Sequence, residues 1–104
     1  MRGLDPYWRG CLHLFKYCLL LRKYFNTDYM HVGNGVLEVE KLRHVFRTKS
    51  HSEKIMLNLA LHLFNGDDAF RLTDLDYLDK KNKRLAFEAM LLRFSYIEVG
   101  EGDE

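Results

Sequence analysis

Five histidines and two cysteines are the residues of this 104-residue chain with the widest chemical repertoire. The histidines are His13, His31, His44, His51 and His62. No two lie three or four residues apart, and H-E-x-x-H, which sets two zinc ligands on one helix face, does not occur. Glu40 and His44 are one helical turn apart and can reach a common ion, but a structural zinc takes four ligands. Cys11 and Cys18 do not form a C-x-x-C knuckle. On one helix their spacing puts them on the same face, about 10 Å apart by the 1.5 Å rise per residue. A disulfide needs Cα atoms within about 7 Å. The two are therefore expected to be core thiols in a reducing compartment, and neither a metal nor a cofactor is expected.

Carboxylates cluster at Asp67-Asp68 and at Asp74, Asp76 and Asp79. Paired acids suit acid–base work or a cation, but the D-x-D-x-D-G order of a calcium loop is not met. Helix capping accounts for several of them. Gly33-Asn34-Gly35 lacks the further Gly, the Lys and the helix start of a phosphate loop, and there is no G-x-S-x-G elbow. The chain is not expected to be an enzyme, and no small-molecule ligand is expected.

The remaining chemistry is basic. Lys41, Arg43, His44, Arg47, Lys49, His51 and Lys54 crowd one stretch. Arg43 and Arg47 sit one helical turn apart and project together. Lys41, Arg43, Arg47, Lys49 and Lys54 are the candidate contacts to a nucleic acid or to an acidic protein surface. Charge is uneven along the chain: residues 1–54 hold ten Lys/Arg against five Asp/Glu, and residues 55–104 hold six against ten. The bland reading of that asymmetry is a small domain solvating its faces.

These residues need elements to position them. The length is that of one domain, and a core of this size needs no staple. One domain is expected over 1–99, with a loose acidic tail at 100–104. Asp5 and Pro6 suit the N-cap and first position of a helix. That helix reads as continuous through Phe25, with apolar residues around most of its circumference and Arg2, Arg9, Lys16 and Lys23 as one basic stripe. Its apolar stretch Cys11 to Leu21 contains His13 and Lys16 and falls short of the roughly 20 residues of a membrane span. A helix this apolar belongs at the centre, or faces a partner.

Asn34-Gly35 signals a tight turn, so residues 29–39 are either a short hairpin or a plain loop. From about Glu38 to Phe46 the spacing of Val39, Leu42, Val45 and Phe46 is helical. Ser50-x-x-Glu53 is a capping box. It opens a helix with Ile55, Leu59 and Leu63 on its apolar face, and Asn65-Gly66 closes it. Thr73 reads as the N-cap of one or two further turns carrying Leu75 and Leu78. Asn82 reads as the cap of a last helix, running to about Tyr96 with Leu85, Ala86, Ala89, Met90 and Phe94 inward. The expected fold is a mainly α bundle of four or five helices.

Phe46-Arg47-Thr48-Lys49-Ser50, Lys54-Ile55 and Leu59-Ala60-Leu61-His62-Leu63-Phe64-Asn65-Gly66 together resemble a family of small bacterial proteins of plasmids, phages and integrative elements. There an aromatic, a Gln-Thr pair and a Ser precede a helix ending in a similar Leu-Ala-Phe-Asn-Leu-aromatic-Asn-Gly run. Ala89-Met90-Leu91-Leu92-Arg93-Phe94 is similar to the Ala-Ile-x-x-Arg-aromatic motif that follows. The resemblance covers residues 37–96. Arg47 stands where the family has Gln, and His62 where it has Asn. The matching positions are core and cap residues, so no functional residue is carried over. The resemblance implies a cytoplasmic accessory role in a mobile element or phage.

The function these readings favour is non-catalytic protein–protein interaction, with self-association through the first helix as one form of it. The alternative is nucleic-acid binding through the basic 41–54 region. The capped helix 50–64 after helix 38–46 has the outline of a helix-turn-helix, but a recognition helix needs a polar exposed face. Lys54, Asn58 and His62 are a thin set.

Overall fold

Asp5 opens the fold as the sequence predicts. Its carboxylate accepts the Trp8 N–H at 2.9 Å and Pro6 takes the first helical position of α1, Pro6–Tyr17. The computed structural model describes residues 5–66 and 69–94, so the acidic tail, Arg2, Asp67-Asp68 and Tyr96 lie outside the described residues. Within them stand four α-helices and a two-stranded hairpin. After α1 come β1 (Met30–His31), β2 (Val36–Leu37), α2 (Val39–Phe46), α3 (His51–Asn65) and α4 (Lys80–Phe94).

α1 runs antiparallel to α4 and also packs on α3. Tyr7 meets Arg93, His13 meets Glu88 and Cys18 meets Asn82, so the two helices run past each other end to end. Against α3, the Trp8 and Phe64 rings lie 4.6 Å apart. At Gly10 the approach leaves no room for a side chain. A Cβ there would stand 2.9 Å from the Ala89 carbonyl oxygen and 3.0 Å from the Arg93 Cβ. Cys11, Leu14 and Phe15 fill the core beside Gly10, with Met56, Leu59, Ala60, Ala86 and Ala89 around them. No charged residue is buried among the described residues.

α1 is shorter than its apolar pattern predicts. It ends at Tyr17, where Cys18 turns extended. The Leu21 and Arg22 amides then bond back to the Cys18 carbonyl, at 3.0 and 2.9 Å. A 3-10 turn follows at Arg22–Tyr24. The break carries Leu21 and Tyr24 into the core and leaves Leu19 and Phe25 in solvent. Tyr24 then packs its ring 4.8 Å from Phe46, which ties this segment to α2.

The hairpin is present, pairing Met30 with Leu37 and His31 with Val36. Its connection is longer than a two-residue turn: Val32–Asn34 form a 3-10 turn and Gly35 takes the left-handed conformation. In α3 the capping box forms in full, with the Ser50 hydroxyl accepting from the Glu53 N–H and the Glu53 carboxylate from the Ser50 N–H. Gly66 ends α3 in the left-handed region.

Three local expectations are corrected. Thr73 is not a cap. Residues Leu72–Tyr77 are 3-10, and their N-terminal bond runs from the Arg71 N–H to Asp74 Oδ2 at 3.0 Å. Asp79, not Asn82, caps α4, since Asp79 Oδ1 accepts the Asn82 N–H at 2.8 Å. Phe94 is exposed rather than inward, while Leu85, Ala86 and Ala89 are buried.

Gly10→Ala tests the α1–α4 approach. Overpacking costs about 1–3 kcal/mol, and the better helix propensity of Ala returns about 1 kcal/mol. A net loss is expected in urea unfolding, with Gly10→Val losing more. An unchanged or raised midpoint for both variants would show that the approach is looser than described.

Candidate functional site

The five candidate cations separate into two sets. Arg43 projects from the last turn of α2, Arg47 is the residue that caps α2, and Lys54 projects from the first turn of α3. With Phe46, Leu57 and Asn58 they line one open groove of about 340 Å³. The Asn58 Oδ1 accepts from Arg43 Nη1 at 2.9 Å, which sets the guanidinium against α3. Arg47 Nη1 donates to the His44 carbonyl at 2.6 Å. Among the described residues, no carboxylate lines the groove.

Lys41 and Lys49 do not join it. Lys41 Nζ donates to the Asp28 carbonyl at 2.9 Å and stands 5.5 Å from the centre of the Tyr29 ring. Lys49 lies in the connection to α3, on the side of Glu53. The Glu53 carboxyl is held below the usual carboxylate range, first by the Ser50 N–H and hydroxyl, then by the Lys49 and Lys23 charges.

A second surface was not singled out from the sequence. Phe87, Leu91 and Phe94 recur at helical spacing along the outer face of α4, and all three are exposed. Beside Leu91 lies a hollow of about 370 Å³ lined by His13, Glu88, Leu91 and Leu92. A neighbouring hollow of about 200 Å³ adds Leu12, Tyr17 and Phe25, rimmed by Arg9 and Lys16. The two share His13 and Leu92, so they form one continuous surface. Leu91 is 68% exposed, Tyr17 49% and Phe25 41%. The signal was readable: Phe87, Leu91 and Phe94 sit at i, i+4 and i+7, away from the buried Leu85-Ala86-Ala89 side.

α4 also opens with Lys80, Lys81, Lys83 and Arg84, all exposed, a second basic cluster beyond the candidate residues 41–54.

The histidines are dispersed. His13 Nε2 lies 2.9 Å from Glu88 Oε1, with the Tyr17 ring beside it. His31 faces Glu38 at 3.5 Å. His51 packs edge-on to Tyr77, and the His62 and Phe70 rings are 6.0 Å apart. Among the described residues no three His, Cys, Asp or Glu side chains gather as a metal site would require. Asp74 and Asp79 serve as caps. No helix of the described residues is long and apolar enough to cross a membrane.

Both cysteines are free and buried. Burial pushes the Cys11 thiol far up. Burial also raises Cys18, against the lowering effect of the Leu20 and Leu21 backbone amides. The Cys18 Sγ donates to Asn82 Oδ1 at 3.5 Å.

The chain matches no known protein family, no curated protein and no solved structure.

The thiolate is the reactive form of cysteine, and burial disfavours it. Native protein at pH 8 is therefore expected to react with an aromatic disulfide reagent no faster than it unfolds, with two thiols released in urea. A rapid native reaction at Cys11 or Cys18 would show that the thiols are accessible.

Proposed function

We propose that the protein acts by non-catalytic protein–protein interaction, and that the α1–α4 surface joins two copies of the chain. The observation that carries this reading is the continuous exposed apolar surface running over Leu12, Tyr17, Phe25, Leu91 and Leu92. Large connected apolar patches on small proteins mark interaction sites. The sequence pointed to the first helix as the sticky element. In the fold most of that helix is covered by α3 and α4, and the exposed apolar positions near it are Leu91 on α4, Tyr17 at the end of α1 and Phe25 beyond it.

A second copy suits this surface because its rim carries both signs. Arg9 and Lys16 border one hollow and Glu88 the other. In a two-fold interface residue i meets j while j meets i. Such a pairing sets Glu88 of each copy toward Arg9 or Lys16 of the other while the apolar centres meet. The chemistry elsewhere fits a non-catalytic role: the described acidic residues cap helices, face a histidine or stand in solvent, and the thiols are buried. We place this activity in the cytoplasm, as an accessory of a mobile element or phage, on the strength of the resemblance over residues 37–96.

Light scattering across roughly 5–300 μM protein tests the reading. Mass is expected to rise toward that of a dimer. Leu91→Glu is expected to hold the protein monomeric with unchanged helical circular dichroism, because a change at so exposed a position costs within about 0.5 kcal/mol of stability. A monomer at every concentration, or a dimer indifferent to Leu91→Glu and Tyr17→Glu, would overturn it.

A further inference from the structure

We infer that two copies of the chain, paired through the α1–α4 surface, close a transition-metal site from His13 and Glu88 of each copy, and that zinc is the ion it fits. The inference rests on the self-association reading and adds a ligand that the paired chains share.

The two side chains come from different helices and meet at that surface. His13 Nε2 lies 2.9 Å from Glu88 Oε1. The His13 side chain is 17% exposed, and its ring lies 4.9 Å from that of Tyr17. Glu88 is more open, at 45%. Ligands about 2.0–2.2 Å from a tetrahedral ion stand roughly 3.4 Å from one another, so the pair opens by about half an ångström to admit one. The contact needs a proton between the two atoms. A metal ion takes that place and the proton leaves to solvent.

One imidazole and one carboxylate are half a site. A structural zinc takes four ligands, and among the described residues no third His, Cys, Asp or Glu side chain joins these two. A two-fold pairing supplies the other half, because residues near the axis meet their own copies. The hollow that holds the pair is lined by His13, Glu88, Leu91 and Leu92. A copy seated over Leu91 sets a second His13–Glu88 pair against the first, with leucines around both. Arg9 and Lys16 border the neighbouring hollow. They reach the carboxylates from the rim, and a divalent ion reaches both from the centre.

Bringing two carboxylates into an apolar contact is costly, since buried charges are stable when paired or bound to metal. The donor set selects among ions. Imidazole with carboxylate suits zinc and its neighbours, whereas Mg²⁺ and Ca²⁺ take oxygen ligands. The leucine shell limits the access of water to the bound ion. His31 and Glu38 offer the same donor atoms at 3.5 Å. They line neither hollow of the self-association surface, so no second pair is set against them.

Sedimentation and titration calorimetry on chelator-treated protein, with and without Zn²⁺, test the inference. Zinc is expected to bind at one ion per two chains. At free zinc about ten times its dissociation constant, mass action tightens the dimer on the order of tenfold. Mg²⁺ should leave the mass distribution unchanged, and Co²⁺ should give the visible absorption of a four-coordinate site. Glu88→Gln keeps the side-chain shape and should abolish the zinc effect, as should His13→Gln. His31→Gln should leave the effect intact. If either variant at the site fails to fold, the zinc stoichiometry and the Co²⁺ spectrum still decide. A dimer in chelator that zinc does not tighten overturns this inference and leaves the self-association reading standing. So does zinc bound at one ion per chain, or a zinc effect that survives Glu88→Gln. A chain monomeric in chelator and in zinc alike overturns both.

Discussion

Everything else in the fold depends on how closely α1 can approach α4. A side chain at Gly10 would run into the Ala89 carbonyl oxygen and the Arg93 Cβ, so only glycine fits there. That approach lets α1 sit between α3 and α4 and bury Cys11, Leu14 and Phe15 completely. Interiors are close-packed, so a methylene inserted at the crossing is felt throughout the neighbouring layer. Small residues on both sides make the crossing possible: Gly10 on α1, and Ala86 and Ala89 on α4. Once α1 is central, no helix of the described residues is left to cover the outer face of α4, and Phe87, Leu91 and Phe94 are exposed.

The segment after α1 follows from the same constraint. A continuous helix to Phe25 would carry the chain past the end of α4 with no partner. Turning at Cys18 instead puts Leu21 and Tyr24 into the core and brings Tyr24 onto Phe46. That contact, with Met30 and Leu37 in the same core, seats the hairpin and fixes α2 against α3. The angle between α2 and α3 in turn decides which cations meet. Arg43 and Arg47 face Lys54 across the groove, while Lys41 turns to the Asp28 carbonyl.

What was legible in the sequence was local. The Ser50–Glu53 box, the Asn65-Gly66 stop and the Asp5-Pro6 start each need only a few neighbouring residues, and each forms. The mainly α fold follows from periodicity and is present. The end of α1 was not legible, because no Gly, Pro or polar run marks it. Its cause is tertiary, the burial of Leu21 and Tyr24. Asp79 and Asn82 are both good caps, and only the start of α4 decides between them. The basic cluster was visible as composition, but its division required the helix crossing. The α4 stripe was visible as spacing and was passed over, since Phe94 reads equally well as core until the position of α1 is known.

Self-association through α1 and α4 would change what the fold leaves in water. The central place of α1 puts Leu91 and its neighbours outside the core, so a second copy would supply the cover that no element of the described residues gives. The α2–α3 groove shares no residue with that surface, so pairing there would not require α2 or the start of α3 to move.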